Sequence, residues 1–122
     1  MDKQGRQLTK KGEPMENFVS RLSKDEAAAQ GERFRVLRNK TRLRIIDLLR
    51  RYGGFLCVVE IAAVLDEHPS VISNHLATFR AVGLVTREMH GAYAYYTLNA
   101  RALDKYRQFL EQWTPLSQGV SL

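Results

Sequence analysis

Apolar residues recur every three or four positions through the first two thirds of the chain, which predicts amphipathic helices. Ser23, followed three residues later by Glu26, is a capping box that opens a first helix running to about Leu37. Asn39 is suited to cap a second helix, which we expect to stop at the glycine pair that begins with Gly53. The predicted buried stripe of this second helix is Leu43, Ile45, Ile46, Leu48 and Leu49.

Two further helices are predicted on either side of a short turn. The third covers about residues 58–65, and residues 66–68 form a turn before Pro69, which suits the first position of a helix. The fourth helix runs from Pro69 to about Val82 and ends at Gly83, which readily adopts the left-handed C-cap conformation. The predicted core positions are Ile61, Ala62 and Leu65 on the third helix, and Ile72, Leu76, Phe79 and Val82 on the fourth.

In the last third of the chain the apolar spacing first changes to every second position. Residues 84–89 and 92–98 are β-prone runs, and the pair 90–91 between them is short enough for a two-residue hairpin turn. Asn99 is placed to cap a last helix, and Pro115 ends it. The apolar positions of this helix are Ala102, Leu103, Tyr106, Phe109, Leu110 and Trp113.

The predicted element order is α-α-α-α-β-β-α, which is a mainly α fold with a small antiparallel β-hairpin (α+β). Two helices joined by a three-residue turn, with a β-hairpin directly after the second, form a winged helix-turn-helix. A chain of 122 residues has room for one such domain, which we expect at residues 15–114. Residues 1–14 are polar and basic and predict a flexible N-terminal arm, and residues 115–122 are interpreted as a C-terminal tail.

Charge adds a polyanionic partner to this picture. The net charge is +6 and the isoelectric point is near 9.8, although DNA, RNA and an anionic membrane all fit charge alone. Residues 33–51 contain eight basic side chains and a single acidic one. We see no signal peptide and no apolar run that could cross a bilayer, so we expect a cytoplasmic protein without a membrane partner. The single cysteine, Cys57, excludes an intramolecular disulfide and fits a reducing compartment.

The predicted fourth helix turns short, nearly uncharged side chains away from its core stripe. Such side chains let a helix lie close in the major groove, where Asn74 can pair with an adenine edge and Val71 can contact a thymine methyl. The predicted base-contacting residues are Ser70, Val71, Ser73, Asn74 and His75. The residues predicted to contact phosphate or lie on the wing are Lys40, Arg42, Arg80, Arg87 and His90. The alternative interpretation is an ordinary polar surface helix.

Residues 32–99 resemble the ArsR/SmtB family of bacterial metal- and stress-sensing repressors, in blocks that follow one another in the family's order. Residues 41–46 are similar to the family's "TRLRIL", residues 56–61 to its "ELCVCDL" box, and residues 70–76 to its "STVSHHL" recognition helix. The resemblance implies double-stranded operator DNA as a partner and a homodimer assembled through the first and last helices. The apolar stripe of the last helix agrees, because that face must be buried somewhere. The dimer-interface residues predicted in this way are Phe34, Leu103, Tyr106, Phe109, Leu110 and Trp113.

The chain departs from the family's pattern around the predicted turn. Lys40 stands where a proline is usual, and His68 with Pro69 replaces a usual Ser-Gln pair, which changes the expected base preference. Asp66 and Glu67 replace glycine and an apolar residue. Because carboxylates repel DNA phosphates, we expect these two acids to point away from DNA or to pair with a neighbouring arginine.

The family's two metal sites are incomplete in this chain. Soft ions prefer thiolate ligands, and Cys57 keeps the first cysteine of the box while Val59 stands in place of the second. At the family's other site, Asp104 matches the first ligand but Tyr106 occupies a histidine position. We therefore expect no metal site and no cofactor, and an effector that is not a classical metal and that the sequence does not identify.

Two other functions stay open from the sequence alone. Alternation places Tyr93 and Tyr95 on one face of a strand and Tyr96 on the other, and exposed tyrosines can stack on unpaired bases in an RNA- or single-strand-binding module. A thiol-based redox-responsive repressor acting through Cys57 is the second, although a lone cysteine is more often a small buried apolar residue. An enzyme is not expected, because we find no glycine-rich phosphate loop and no carboxylate pair.

Overall fold

The computed structural model describes residues 1, 3–15 and 21–113. The described chain holds five helices and three strands, in two compact units, Met1–Gly31 and Glu32–Leu122. The elements are α1 (Lys24–Val36), α2 (Lys40–Tyr52), β1 (Leu56–Cys57), α3 (Val58–Leu65), α4 (Pro69–Ala81), β2 (Val85–His90), β3 (Tyr93–Leu98) and α5 (Ala100–Glu111). None of the described helices has the length and apolar character that a membrane span requires. The limits of the predicted arm, domain and tail stay predictions.

The predicted helix starts are confirmed in atomic detail. The Ser23 hydroxyl accepts a hydrogen bond from the backbone N–H of Glu26 at 3.1 Å at the start of α1. Asn39 Oδ1 caps α2, accepting from the N–H groups of the second and third residues after it at 2.9 and 3.1 Å, and Asn99 caps α5 in the same way. These short polar side chains satisfy donors that a helix leaves unpaired at its N-terminus. The predicted stop of α5 at Pro115 lies outside the described residues, and the helix itself ends at Glu111.

A three-residue turn joins α3 to α4. Asp66 has a φ of 54°, in the left-handed region, and the N–H of Glu67 donates to the carbonyl of Ala62 at 3.0 Å, which closes the end of α3. His68 caps α4, because its Nδ1 accepts from the N–H of Ser70 at 3.1 Å, and Pro69 follows as the first helical residue. The turn therefore sets the angle between the two helices with local hydrogen bonds.

Helix α4 ends in a Schellman motif at Gly83. This glycine has a φ of 77°, and the N–H of Leu84 donates to the carbonyl of Phe79 at 2.9 Å. The predicted role of Gly83 is confirmed. Val82 was expected in the core but is 48% exposed, because it lies beyond the last helical residue, with φ −100° and ψ 5°, and the helical period no longer applies to it.

The sheet has three antiparallel strands in the order β1-β3-β2, where the sequence predicted only a hairpin. The additional strand, β1, pairs Leu56 with Tyr96 and Cys57 with Tyr95. The hairpin turn is also shifted by one residue, because His90 pairs with Tyr93 and leaves Gly91 and Ala92 as the two turn residues. Gly91 has a φ of 63° and Ala92 does not have a positive φ, which is typical of a type II′ turn with glycine first. The α+β winged helix-turn-helix is confirmed, with β1 as an addition.

One apolar core lies within Glu32–Leu122. Its fully buried members are Ile45, Leu49, Ile61, Ile72, Leu76, Phe79 and Leu84. Leu43 was expected in the buried stripe of α2 but is 52% exposed, because it lies two residues from Ile45 and therefore on nearly the opposite side of the helix. The predicted alternation on β3 is confirmed, with Tyr96 buried at 7% and Tyr93 exposed at 63%.

Candidate nucleic-acid interface

Helix α4 has one buried side and one exposed side. Ile72, Leu76 and Phe79 are 0% exposed and anchor the helix in the core. The side chains on its outer side are Ser70, Val71, Ser73 and Asn74, all exposed, with the half-buried His75 at the edge. The predicted orientation of this set, which we call the reading face, is confirmed, and its contact with DNA stays a prediction. The reading face carries hydroxyl, amide, imidazole and small apolar groups and no carboxylate.

His75 is held at the edge of the reading face by a side chain from α2. Arg42 Nε donates to His75 Nδ1 at 3.1 Å, and a terminal guanidinium nitrogen of Arg42 donates to the carbonyl of Val36 at 3.3 Å. Arg42 was predicted to contact phosphate, yet two of its nitrogens are bound to protein atoms. This contact joins residues 33 positions apart and has no signal in the helical period.

The turn between α3 and α4 carries two acids, Asp66 and Glu67. The Thr41 hydroxyl, which is buried, donates to Glu67 Oε1 at 3.5 Å. Neither Asp66 nor Glu67 forms an ion pair within the part of the chain that the structure describes. The sequence predicts that these acids either point away from DNA or pair with an arginine. The structure does not show the pairing with an arginine within the described residues. Glu67 binds a hydroxyl instead.

Burial is the main cause that lowers the pKa of His75 below its ordinary value, and the nearby Arg42 guanidinium lowers it further. The Glu67 carboxylate acts in the opposite direction and raises this pKa by a smaller amount. The net depression means that folding favours the neutral imidazole. The ring is therefore an uncharged hydrogen-bonding group when the protein is folded at neutral pH.

This lowered pKa predicts a loss of stability on mild acidification. The unfolded chain takes up the proton first, near the ordinary histidine pKa of about 6.5, so the contribution of His75 is complete above that pH and is lost as the pH falls towards the folded-state pKa. Over this pH interval, we expect the free energy of unfolding to fall more in the wild-type protein than in His75→Gln. Urea denaturation at a series of pH values checks this, and parallel profiles for the two proteins would contradict it.

The other basic residues predicted around the reading face are exposed. Lys40 begins α2, Arg80 lies in the last turn of α4, and Arg87 lies on β2, a strand that packs against α4. His90 ends β2, and its ring meets that of Tyr95 edge to face with centroids 5.2 Å apart. Its Nε2 lies 3.6 Å from a Glu88 carboxylate oxygen. These positions fit phosphate contacts, which stay a prediction.

The two positions that the family resemblance links to metal are engaged in contacts within the chain. Asp104 accepts from Arg107 Nε at 2.6 Å and from Gln108 Nε2 at 2.9 Å. The Tyr106 hydroxyl donates to the carbonyl of Arg33 at 2.7 Å, and burial raises the pKa of this tyrosine. Residues 1, 3–15 and 21–113 contain no cluster of three or more metal-ligating side chains.

Cys57 is half-buried at the junction of β1 and α3. Its backbone N–H donates to Glu60 Oε1 at 3.0 Å, and this bond is the largest cause that lowers the pKa of Glu60. Cys57 therefore has a defined structural position at the start of α3. A redox role stays a prediction.

The residues predicted for a dimer interface fall into two groups. Tyr106 and Phe109 are buried within the chain, where both rings pack against Phe34 at centroid distances of 5.3 and 5.6 Å. Leu110 and Trp113 are 47% and 65% exposed, and the Trp113 ring packs on Phe109 at 4.9 Å. Phe34 and Leu103 are half-buried. Leu110 and Trp113 are therefore the members with the most apolar surface left for a partner.

The order of elements and the exposed outer side of α4 define a winged helix-turn-helix protein. The family model described as "Bacterial regulatory protein, arsR family" matches residues 39–87. A crystal structure of a possible transcriptional regulator for arsenical resistance is 32% identical to this chain, with a TM-score of 0.58 over 65% of this chain and 80% of that one. This chain belongs to the arsR family of bacterial regulatory proteins.

Two curated repressors are also similar to this chain. The arsenical resistance operon repressor of Escherichia coli is 38% identical over 66 residues, which is 54% of this chain and 56% of the relative. The transcriptional repressor SmtB homolog of Synechocystis is 32% identical over 88 residues, which is 71% of this chain and 65% of the relative. The chain therefore spans between half and two thirds of the length of these relatives.

Proposed function

We propose that this chain is a transcriptional repressor that binds double-stranded operator DNA as a homodimer and reads its sequence with α4. The observation that carries the proposal is the reading face, in which short side chains stand on a helix whose opposite side is fully buried. A rigid helix with a thin polar face fits the major groove, because its backbone can approach the base edges closely. The protein acts in the cytoplasm and carries no catalytic activity.

Exposed cations supply the affinity that does not depend on sequence. Lys40, Arg80 and Arg87 lie on three different elements, and none of them is in an ion pair within the described residues. Each phosphate that such a side chain neutralises releases counterions, so affinity falls steeply with salt. We expect the affinity for any duplex to depend steeply on salt concentration. The reading face should add a preference for particular sequences.

The effector of this repressor is not a soft metal held at the family's usual positions. Val59 provides no thiolate beside Cys57, and Tyr106 is committed to the Arg33 carbonyl. Arsenical resistance, which appears in the names of two similar proteins, is a property of those proteins and is not assigned to this chain. RNA binding and thiol-based sensing gain no support from these two relatives, which are named as an arsenical resistance operon repressor and a transcriptional repressor SmtB homolog.

The direct test of the reading face is Asn74→Ala. Asn74 is exposed on α4, and loss of one base-specific contact costs about 1–3 kcal/mol, or about five- to 150-fold in affinity. We expect this loss on an operator selected from a random duplex pool and almost none on random duplex. Fluorescence anisotropy with both duplexes at the same salt concentration measures the difference.

The matched control for this test is Thr78→Ala, four residues further along α4. Thr78 is half-buried and its hydroxyl donates to the Asn74 carbonyl within the same helix, so it has no predicted base contact. We expect the control to bind both duplexes nearly as well as the wild type does. Equal losses on operator and random duplex for Asn74→Ala would overturn the proposed function, as would a preference for single strands or RNA in competition.

A further inference from the structure

The hydrogen bond between Arg42 and His75 determines which ring nitrogen of the histidine carries the proton. A guanidinium has only donors, so His75 Nδ1, which lies 3.1 Å from Arg42 Nε, must be the acceptor and must be unprotonated. A neutral imidazole then carries its single proton on Nε2. The arginine therefore selects one tautomer of His75.

The same bond also fixes the direction of the remaining donor. Nδ1 and Nε2 lie on different edges of the imidazole ring, so a ring that turns Nδ1 towards α2 turns its Nε2–H away from Arg42. His75 is half-buried at the edge of the reading face, and no described residue accepts a hydrogen bond from its Nε2. The ring cannot rotate freely without breaking the bond to Arg42.

We propose that Arg42 is a positioning residue, and that it presents the Nε2–H of His75 as a hydrogen-bond donor to a guanine in the major groove. Guanine offers two acceptors there, N7 and O6, whereas adenine presents a donor next to its N7. This inference rests on the proposed function and names one determinant of its sequence preference. It differs from the sequence prediction, in which Arg42 contacts phosphate.

The surroundings of Arg42 support a fixed role. Its guanidinium has a second anchor, the Val36 carbonyl at 3.3 Å, and its backbone N–H is held by the Asn39 cap at 3.1 Å. The charged groups facing His75 are Arg42 from α2 and Glu67 from the turn, and burial together with Arg42 lowers the pKa of the ring. The imidazole thus stays neutral at the pH of the cytoplasm, which the bond to Arg42 requires.

The tautomer is measured directly by ¹⁵N spectroscopy of the histidine ring in the free protein. We expect the proton of His75 on Nε2 in the wild type, and a mixture of tautomers in Arg42→Met. The control is Arg50→Met, which removes the same charge from an exposed α2 residue that makes no side-chain hydrogen bond or ion pair within the described part of the chain. We expect Arg50→Met to keep the wild-type tautomer. A wild-type proton on Nδ1, or an unchanged tautomer in Arg42→Met, overturns the positioning role.

The guanine contact is measured with 7-deazaguanine, in which the N7 acceptor is replaced by C–H, placed at each guanine of a selected operator in turn. We expect one position in each half-site at which this change weakens wild-type binding by about tenfold, the size of one base-specific contact. Arg42→Met should bind the natural operator about tenfold more weakly and should not respond at that position. Arg50→Met should keep the full response.

Substitutions of His75 keep the inference testable should Arg42→Met fail to fold. His75→Gln can accept from Arg42 and donate outward through its amide, so we expect it to keep part of the guanine preference. His75→Phe fills a similar volume without a donor and should lose that preference. Equal preference in these two variants overturns the contact.

Two further outcomes separate this inference from the proposed function. If Arg42→Met weakens operator and random duplex equally and lowers the salt slope by about one phosphate, Arg42 contacts the backbone and the inference is wrong while the repressor remains. If the wild type prefers no duplex sequence, the proposed function and the guanine contact both fail. The tautomer measurement uses no DNA and still decides the role of Arg42.

Discussion

Phe79→Ala is expected to lower the free energy of unfolding by about 3–5 kcal/mol, the usual cost of removing a buried phenyl ring. Phe79 is 0% exposed and is the largest of the fully buried side chains. It anchors the last turn of α4, and its carbonyl accepts the bond that closes the helix at Gly83. Domains of this size have a stability of about 5–15 kcal/mol, so the loss removes between about a fifth and all of it. Urea denaturation at fixed protein concentration measures the change.

The matched control is Phe55→Ala, which removes the same ring from a site that is 38% exposed. Because this ring buries less apolar surface on folding, its loss should cost less than that of Phe79. A Phe79→Ala protein as stable as Phe55→Ala would mean that the inner side of α4 is not packed as described. Such a result would also undermine the reading face, whose direction depends on that packing.

The helices could be predicted because their ends are determined locally. Ser23, Asn39 and Asn99 each bind backbone N–H groups two or three residues away, so the signal and its partner lie in the same short stretch of sequence. Gly83 closes α4 over a similar distance. The predicted starts of these three helices and the predicted end of α4 are therefore right to within about one residue.

Features that depend on distant partners could not be predicted. Strand β1 has only two residues, too few to show a period, and it exists because Leu56 pairs with Tyr96 far along the chain. Leu43 belongs to the predicted stripe and is exposed, because the rest of the core occupies the side of α2 that carries Ile45 and Leu49. Tertiary packing decides both cases.

The candidate site also has one part that could be predicted from the sequence and one part that could not. Once Ile72, Leu76 and Phe79 are taken as the inner side of α4, helix geometry alone places Ser73 and Asn74 outside. The bond from Arg42 to His75 has no counterpart in that geometry, because it joins two helices whose separation the sequence does not state. Residue type suggested a phosphate contact for Arg42, and tertiary structure gives its side chain a protein partner.

Replacing Trp113 with Glu is expected to turn the proposed dimer into monomers and to weaken operator binding by about 100-fold or more. Trp113 is 65% exposed, beside Leu110 at 47%, and burying such side chains between two copies contributes about 1.5–3 kcal/mol for each. A buried carboxylate reverses this gain, because it loses its hydration without finding a partner. Two reading faces bind two half-sites about one helical turn apart, so a monomer loses the avidity of the pair. Analytical ultracentrifugation and anisotropy on the full operator measure the two effects.

Half-site binding and a charge-matched control separate loss of the dimer from loss of the fold. Ala100→Glu adds the same charge at the exposed first residue of α5, where an acid is favourable at a helix N-terminus, and this variant should remain dimeric. Because the reading face lies on α4, Trp113→Glu should bind an isolated half-site as well as a wild-type protomer does. Should Trp113→Glu sediment as a dimer with unchanged operator affinity, the partner surface lies elsewhere. In that case Leu110 and Trp113 are ordinary exposed side chains, and the pairing of reading faces needs a different contact.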